Sequence, residues 1–200
     1  FRSDHKVVGI QYLVGIIAML AVGGSLAMMI RTDLAFPGGH FINPTVYNSL
    51  VGLHGITMIV AMIIVATGPF GNYIMPIMIG ARDMAFPRLN ALSWWVLFTA
   101  IPVLCSAWFL GGIPTGWTAY APLSLQAGPG MNSFIATIII FAVSTAVAGA
   151  NITATVVAMR TKGMKWNRVP IFVIGATISV ALAIPAFPTF MLSQIQTDRK

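Results

Sequence analysis

Long apolar runs, separated by short polar or glycine- and proline-rich segments, make up most of the chain. A helix needs about 20 apolar residues to cross the hydrocarbon core of a bilayer, and five segments are long enough. Glycines, prolines and polar loops mark their ends. The pattern therefore predicts five transmembrane helices, over residues 8–30, 47–79, 91–109, 132–159 and 169–192.

The composition agrees with a protein embedded in lipid. Hydrophobic residues make up 58% of the chain and charged residues 8%, and the mean hydropathy is +0.88, which is too apolar for a water-soluble domain of this length. We therefore predict an all-α integral membrane protein with a single domain over residues 1–200. The only cysteine, Cys105, excludes an intrachain disulfide, a two-cysteine copper centre and a thiolate cluster.

The basic residues predict the orientation in the membrane. The net charge is +7, but the cations lie between apolar runs rather than on one surface, which argues against a nucleic-acid partner. Three cations, Arg31, Arg199 and Lys200, fall on one predicted side. The other side carries Arg2, Lys6, Arg82, Arg88, Arg160, Lys162, Lys165 and Arg168. Because cytoplasmic loops are enriched in Lys and Arg, we predict a cytoplasmic N-terminus and an external C-terminus.

A single histidine, His54, lies near the start of the second apolar segment. An ionisable side chain inside a membrane is costly, so it marks a functional site by default. Gly52 and Gly55 lie beside it, and we expect their small size to admit a broad, flat ligand such as a haem. On the residues alone, two interpretations stay open: His54 ligates a metal or haem, or it hydrogen-bonds a neighbouring helix.

Arg31 ends the first segment, at a depth that we expect to match that of His54. It is either an interfacial anchor, with its charge in the headgroup region, or a donor to a carbonyl or carboxylate of a cofactor. Trp117 and Tyr120 lie in a glycine-rich loop and are typical of an interfacial aromatic belt. The loop glycines also suggest that this segment folds tightly over something.

Polar residues form a possible track that starts at Asp83, which is flanked by Arg82 and Arg88. Inside a membrane, such residues face the bundle interior or a water-filled cavity. They either hydrogen-bond between helices or hold a chain of waters that conducts protons from Asp83. The residues are Asn72, Asn90, Ser93, Ser144, Asn151 and Thr155, of which the last three share one helix face.

Seven motifs occur in the order found in one known family. They are HKVVGIQY from His5, MIRTDL from Met29, YNSLVGLHG from Tyr47, FGNYIMPIMIGARDMAFPRLNALSWW from Phe70, TGWTAYAPLS from Thr115, VAGANITATV from Val147 and TDR from Thr197. On these motifs the chain resembles subunit I of the haem-copper oxygen reductases, of the cytochrome c oxidase kind, along nearly its whole length. The motif from Phe70 is long and highly specific.

The resemblance implies that the five helices belong to a bundle of about a dozen. It implies a terminal respiratory oxidase that reduces oxygen to water and translocates protons, in a prokaryotic plasma membrane or an organellar inner membrane. The chain has three histidines and no glutamate. We therefore expect the second haem, the copper and their ligands on helices outside this chain, either on another polypeptide or on a missing part of the same one.

The resemblance also assigns roles to individual residues. It makes His54 an axial ligand of a low-spin haem, and Arg31 a contact of that haem's formyl group if the cofactor is haem A. Tyr47 and Trp117 would lie near the haem propionates. Asp83 would be the entrance of a D-type proton pathway, which would be lined by Asn72, Asn90, Ser93, Ser144 and Asn151.

The chain departs from the family pattern at two positions in the second segment. Ile64 stands where family members usually carry a proline, and Pro69 stands where they usually carry a glycine. We therefore expect the kink near Asn72 to be displaced.

The resemblance further implies subunit II-like and III-like partners, membrane lipid, and cytochrome c or a small copper protein as electron donor. A quinol oxidase is the alternative within the family. Such relatives can hold a quinone with Arg, Asp, His and Gln between the first two helices, whereas this chain has VGGSLAMM, Val46 and Ser49 there. Outside the family, the alternatives are a proton-coupled transporter or channel that uses His54 and Asp83, or a purely structural membrane chain.

Overall fold

The computed structural model describes residues 3–36 and 41–197, without the side chains of residues 62, 63, 65, 66, 187, 188 and 190–197. His40, Arg2, Arg199 and Lys200 therefore lie outside the described residues. The elements are α1 (His5–Leu34), α2 (Pro44–Val65), a π-helical segment (Ala66–Gly71), α3 (Asn72–Ile79), α4 (Pro87–Phe109), α5 (Gly130–Ala158) and α6 (Ile171–Thr197), with short 3-10 helices at Leu123–Gln126 and Trp166–Arg168.

The all-α prediction is confirmed for the described residues, but the count of five helices is not. Six α-helices form, because the second predicted segment, 47–79, is divided into α2, the π-helical segment and α3. Pro69 lies inside the π-helical segment and has no backbone N–H, so a regular α-helical hydrogen-bond ladder cannot run through it. At the place near Asn72 where the sequence predicts a kink, the helix has a π-helical segment that ends immediately before Asn72.

Among the described residues, α1, α4 and α5 are long and apolar enough to cross a bilayer. The apolar stretch Ile171–Ala186 at the start of α6 is shorter. The bounds of α1, α4 and α5 match the first, third and fourth predicted segments to within a few residues. α1 begins before its apolar run, at His5. Asp4, the preceding residue, caps the helix by accepting a hydrogen bond from the Lys6 N–H.

Neighbouring helices pack side by side, α1 on α2, α4 on α5 and α5 on α6. One hydrophobic core lies among α1, α2, α4 and α5 and contains Tyr12, Leu53, Trp94 and Phe134. A second core lies among α3, α5 and α6 and includes Met75, Ile152 and Val173. Because α5 contributes to both cores, it is the helix that joins the two halves of the described bundle.

Three polar segments meet at one end of the bundle. The backbone N–H of His5 donates to Asp83 Oδ1 over 3.2 Å, which joins the start of α1 to the α3–α4 loop. The backbone N–H and the hydroxyl of Thr161 both donate to Ile79 O, over 2.9 and 2.8 Å, which joins the α5–α6 loop to the end of α3. The three segments that carry the cations predicted for one side of the membrane therefore lie at the same end of the bundle. These segments contain Lys6, then Arg82 and Arg88, then the four cations within residues 160–168.

We predict that Thr161→Val lowers the stability of the purified protein by about 1 kcal/mol, because it removes a hydrogen bond between the α5–α6 loop and the end of α3 while keeping the shape of the side chain. Thr99→Val is the matched control, since the Thr99 hydroxyl bonds only Val96 O of its own helix. Thermal unfolding in detergent measures both. Equal melting temperatures for the two variants would contradict the role of Thr161.

Candidate functional site

His54 lies in α2, partly buried, with Nδ1 2.8 Å from the Gly23 carbonyl oxygen of α1. A carbonyl oxygen only accepts, so Nδ1 carries the proton and donates. The lone pair of Nε2 then remains available as an acceptor or metal ligand. This is the arrangement in which a backbone carbonyl fixes the tautomer and orientation of a metal-ligating histidine. The two interpretations of His54 are therefore compatible, since each uses a different ring nitrogen.

The glycines beside His54 do not provide open space, contrary to expectation. A Cβ added to Gly52 would lie 2.5 Å from Ile113 O, and one added to Gly55 would lie 3.0 Å from Trp117 Cβ. The loop between α4 and α5 therefore packs directly on this face of α2. The glycines admit the loop rather than a flat ligand, so a ligand of His54 has to approach from another side of the helix.

Of the other predicted cofactor residues, Trp117 lies beside His54, and Tyr47 lies about two helical turns before it in α2. Trp117 packs on Gly55, the residue that follows His54, and its side chain is 47% exposed. Tyr47 is partly buried and lies seven residues before His54 in α2. Residues at this spacing share a helix face, so Tyr47 and His54 point to the same side of α2.

Arg31 is not at the depth of His54. His54 is bonded to Gly23, and Arg31 lies eight residues further along α1, about 12 Å at the helical rise of 1.5 Å per residue. Arg31 is exposed and lies in the last turn of α1, where a cation interacts favourably with the helix dipole. These features are typical of an interfacial anchor.

Asp83 is partly buried in the loop between α3 and α4. Its Oδ1 accepts from the backbone N–H of His5 at 3.2 Å and from that of Met84 at 2.7 Å. A carboxylate at the first residue of α1 is also favourable for the helix dipole. Asp83 therefore has a structural role, which is to hold the α3–α4 loop against the start of α1.

His5 is buried, although it lies close to the charged residues Asp4 and Lys6 at the start of α1. Its side chain is 3% exposed, and its Nδ1 lies 2.9 Å from Asn72 O. His5 thus connects the Asp83 loop to the start of α3. The sequence does carry a signal for this position, because His5, Val8 and Tyr12 follow the spacing of one helix face, and all three are buried.

Polar side chains from α1, α3, α4 and α5 meet inside the bundle. The Tyr12 hydroxyl is 3.0 Å from Ser93 Oγ, Ser93 Oγ donates to Asn90 O over 2.7 Å, and Ser144 Oγ donates to Ser93 O over 2.7 Å. The structure thus brings three predicted track residues into contact. All the predicted lining residues are at most 3% exposed, namely Asn72, Asn90, Ser93, Ser144 and Asn151.

A cavity of about 30 Å³ lies within this polar region, which is room for about one water molecule. Its polar lining includes Asn72 and Ser144, which the sequence had indicated. It also includes Tyr12, Thr67 and Thr145, which sequence reasoning missed. Tyr12 was detectable, since a lone phenol on the buried face of an otherwise apolar helix is unusual in lipid.

Buried amide groups in this region lack partners among the described residues, namely Asn72 Oδ1, Asn90 Nδ2 and Asn151 Nδ2. The amide of Asn72 is fixed at its other end, because Nδ2 donates to Gly68 O over 2.7 Å. Asn151 is fixed likewise, since its Oδ1 accepts from the Phe86 N–H at 2.8 Å. An unsatisfied buried polar group costs about 1–3 kcal/mol. Ordered water removes that cost, so these amides are suited to anchoring waters.

An apolar groove of about 350 Å³ lies among α1, α2 and α4. Its lining includes Val22 and Leu26 of α1, Leu53 and Thr57 of α2, and Cys105 of α4, and no described residue of the lining is charged. Within the described ranges, no group of three or more His, Cys, Asp or Glu residues lies close enough to hold a metal ion. Any metal held here would therefore depend on ligands from elsewhere, or on a single side chain such as His54.

Comparison with known proteins gives consistent matches. Residues 7–199 match the family described as "Cytochrome C and Quinol oxidase polypeptide I". Cytochrome c oxidase subunit 1 of Thermostichus vulcanus is 40% identical over 94% of this chain and 34% of its own length. The heme-copper oxidase subunit I+III of Aeropyrum pernix is 38% identical over 95% of the chain and 24% of its own length. A probable quinol oxidase subunit 1 of Staphylococcus haemolyticus is 35% identical over 98% of the chain and 30% of its own length. The chain therefore spans about a third or less of these relatives.

The geometry of Asp83 predicts that its charge and its structural role can be separated. Asp83→Asn keeps an oxygen in the Oδ1 position for the His5 and Met84 N–H groups, so we expect nearly unchanged thermal stability. Asp83→Ala removes the acceptor and should cost about 1–2 kcal/mol. Thermal unfolding of the two variants side by side measures this difference. Equal destabilisation by both would show that the charge, rather than the hydrogen bonds, holds the loop.

Proposed function

Because the chain belongs to the family of cytochrome c and quinol oxidase polypeptide I, we propose that it supplies the first helices of subunit I in a terminal oxidase that reduces oxygen to water and translocates protons. In this proposal the chain contributes one haem ligand and a proton pathway. The observation that carries it is the His54 ring, whose Nδ1 bonds Gly23 O and whose Nε2 lone pair is left for a ligand.

The donor set fits a haem that is shared with other helices. The His54 imidazole, whose tautomer is fixed by its bond to Gly23 O, is a suitable ligand for haem iron, and the bound haem would supply one-electron transfer. Trp117, which packs on Gly55 beside His54, and Tyr47, which shares a face of α2 with His54, would contact the haem propionates. Arg31 would contact the formyl group of haem A, reaching inward from the end of α1. The second axial ligand, the second haem and the copper would be held by helices outside this chain.

The polar region would take up protons from the cytoplasmic side. Asp83 lies partly exposed at the end of the bundle where the basic segments meet, which we assign to the cytoplasm because Lys and Arg are enriched there. Behind Asp83, His5 leads to Asn72. The cavity and the Tyr12–Ser93 hydrogen bond continue inward.

Amide side chains do not titrate, so their role in this pathway is to hold water. Asn72, Asn90 and Asn151 each have a buried polar atom without a described partner, and a water at each would extend the hydrogen-bonded chain. Ser93 and Ser144 can both donate and accept, which allows the direction of hydrogen bonds to reverse after a proton has passed. The lining thus conducts protons without a charged group of its own.

The apolar groove between α1 and α2 favours a protein donor over a quinol. A quinol head group needs polar partners to replace its bonds to water, and the side chains along this groove that can form hydrogen bonds are Thr57, Cys105 and Trp108, none of which is charged. We therefore propose that cytochrome c or a small copper protein delivers electrons, docking on a subunit II-like partner. A subunit III-like partner completes the complex, as the fused subunit I+III of one relative suggests.

The haem assignment predicts the absorption spectrum of the purified complex. His54→Ala should abolish the reduced low-spin haem band. His5→Gln is the matched control, because the Nδ1 of His5 also donates to a backbone carbonyl, and this variant should keep the band. An unchanged spectrum in His54→Ala would reject the ligand assignment. A wild-type complex without haem would instead favour a proton-coupled transporter or channel.

The pathway assignment predicts the effect of Asp83→Asn on proton uptake. This variant keeps the backbone hydrogen bonds but removes the titratable group, so oxygen consumption should slow strongly or the proton yield per electron should fall. Asp4→Asn is the control, since Asp4 is an exposed helix cap at the same end and Asn caps equally well. Oxygen-electrode and proton-release measurements test both. Wild-type rates with a full proton yield in Asp83→Asn would remove the entrance role.

A further inference from the structure

The loop between α5 and α6 carries a cluster of positive charge that the proposed function does not use. Four cations lie within residues 160–168, a segment that contains no Asp or Glu and that we call the basic loop. They are Arg160, Lys162, Lys165 and Arg168. The last three are exposed, and Trp166 between them is 50% exposed.

The structure holds the basic loop in a defined shape. Thr161 is bonded twice to Ile79 O at the end of α3, and the Arg168 N–H donates to Lys165 O over 2.9 Å. The guanidinium carbon of Arg160 lies 3.6 Å from the centre of a Trp166 ring, a cation–π contact. The three exposed cations are therefore displayed on an ordered backbone, so that anion binding would cost this loop less conformational entropy than it would cost a flexible tail.

Apolar surface adjoins the basic loop on both helices. Val157, near the end of α5, is 54% exposed, and Ile171, the first residue of α6, is 86% exposed. Trp166 lies among the cations, between Lys165 and Arg168 in the chain, and tryptophans are enriched at membrane interfaces. Cations above apolar side chains complement a molecule that has an anionic head and apolar chains.

We propose that the basic loop binds the headgroup phosphate of an anionic phospholipid, with the acyl chains against Val157 and Ile171. Charge complementarity carries this assignment, because anionic leaflets attract clusters of four or more juxtamembrane cations. The exposed apolar residues favour a lipid over an acidic soluble protein, which would leave them in water. The inference does not depend on haem binding or on proton uptake.

The test is a titration of the purified complex with phosphatidylglycerol and with phosphatidylcholine, in which native mass spectrometry counts the bound lipids. Lys162→Gln/Lys165→Gln leaves Arg160 and the loop hydrogen bonds in place. At the usual contribution of a juxtamembrane cation, removal of both should weaken phosphatidylglycerol binding about thirty-fold. Phosphatidylcholine binding should not change, because its headgroup has no net charge.

The matched control is Lys6→Gln/Arg88→Gln, which removes two exposed cations from the same end of the bundle but outside the basic loop. This control should keep the affinity for phosphatidylglycerol. Equal weakening by both double variants would overturn the proposal, because the attraction would then be diffuse. No weakening by the loop variant, or equal loss of both lipids, would overturn it as well. So would saturable binding of polyglutamate at the loop in a complex that shows no preference for phosphatidylglycerol.

Discussion

Inside a bilayer, a polar group without a protein partner has no bulk water to bind, and this constraint explains how the polar residues of the chain are arranged. His54 meets it by donating from Nδ1 to Gly23 O. The bond has two consequences. It ties α2 to α1, and it determines which ring nitrogen is left for a ligand. A structural requirement of the membrane thus produces the tautomer that metal ligation needs.

The same constraint applies to the three buried asparagines, which meet it only in part. Asn72 and Asn151 each bond the backbone at one end of the amide, and each leaves one atom without a described partner. In a purely structural role such half-satisfied amides would be a cost without a benefit. Together with the small cavity beside Asn72, whose lining includes polar side chains, they are better explained as sites for water, and water is what the proposed proton pathway requires.

Hydropathy and charge placement were sufficient to predict the all-α fold, the approximate bounds of α1, α4 and α5, and the meeting of the basic segments at one end, because these features follow from the transfer of local segments into lipid. The features that the sequence did not reveal depend on contacts between distant residues. His5 is buried because its helix start is held by Asp83, 78 residues away. The space beside Gly52 and Gly55 is filled by a loop from beyond α4. The division of the second segment depends on the backbone hydrogen bonds around Pro69, which a hydropathy pattern does not describe.

Asp83 shows how a structural role and the proposed functional role can coexist on one side chain. The His5 and Met84 N–H groups both donate to Oδ1, so one oxygen holds the loop while Oδ2 takes part in neither bond. The residue is only partly buried, which leaves the carboxylate accessible to water. Anchoring by one oxygen fixes the carboxylate close to His5 and Asn72, and proton exchange at the other does not require those bonds to break. The anchoring hydrogen bonds therefore hold the carboxylate at the start of the polar track, and the structural role is compatible with the proposed entrance role rather than competing with it.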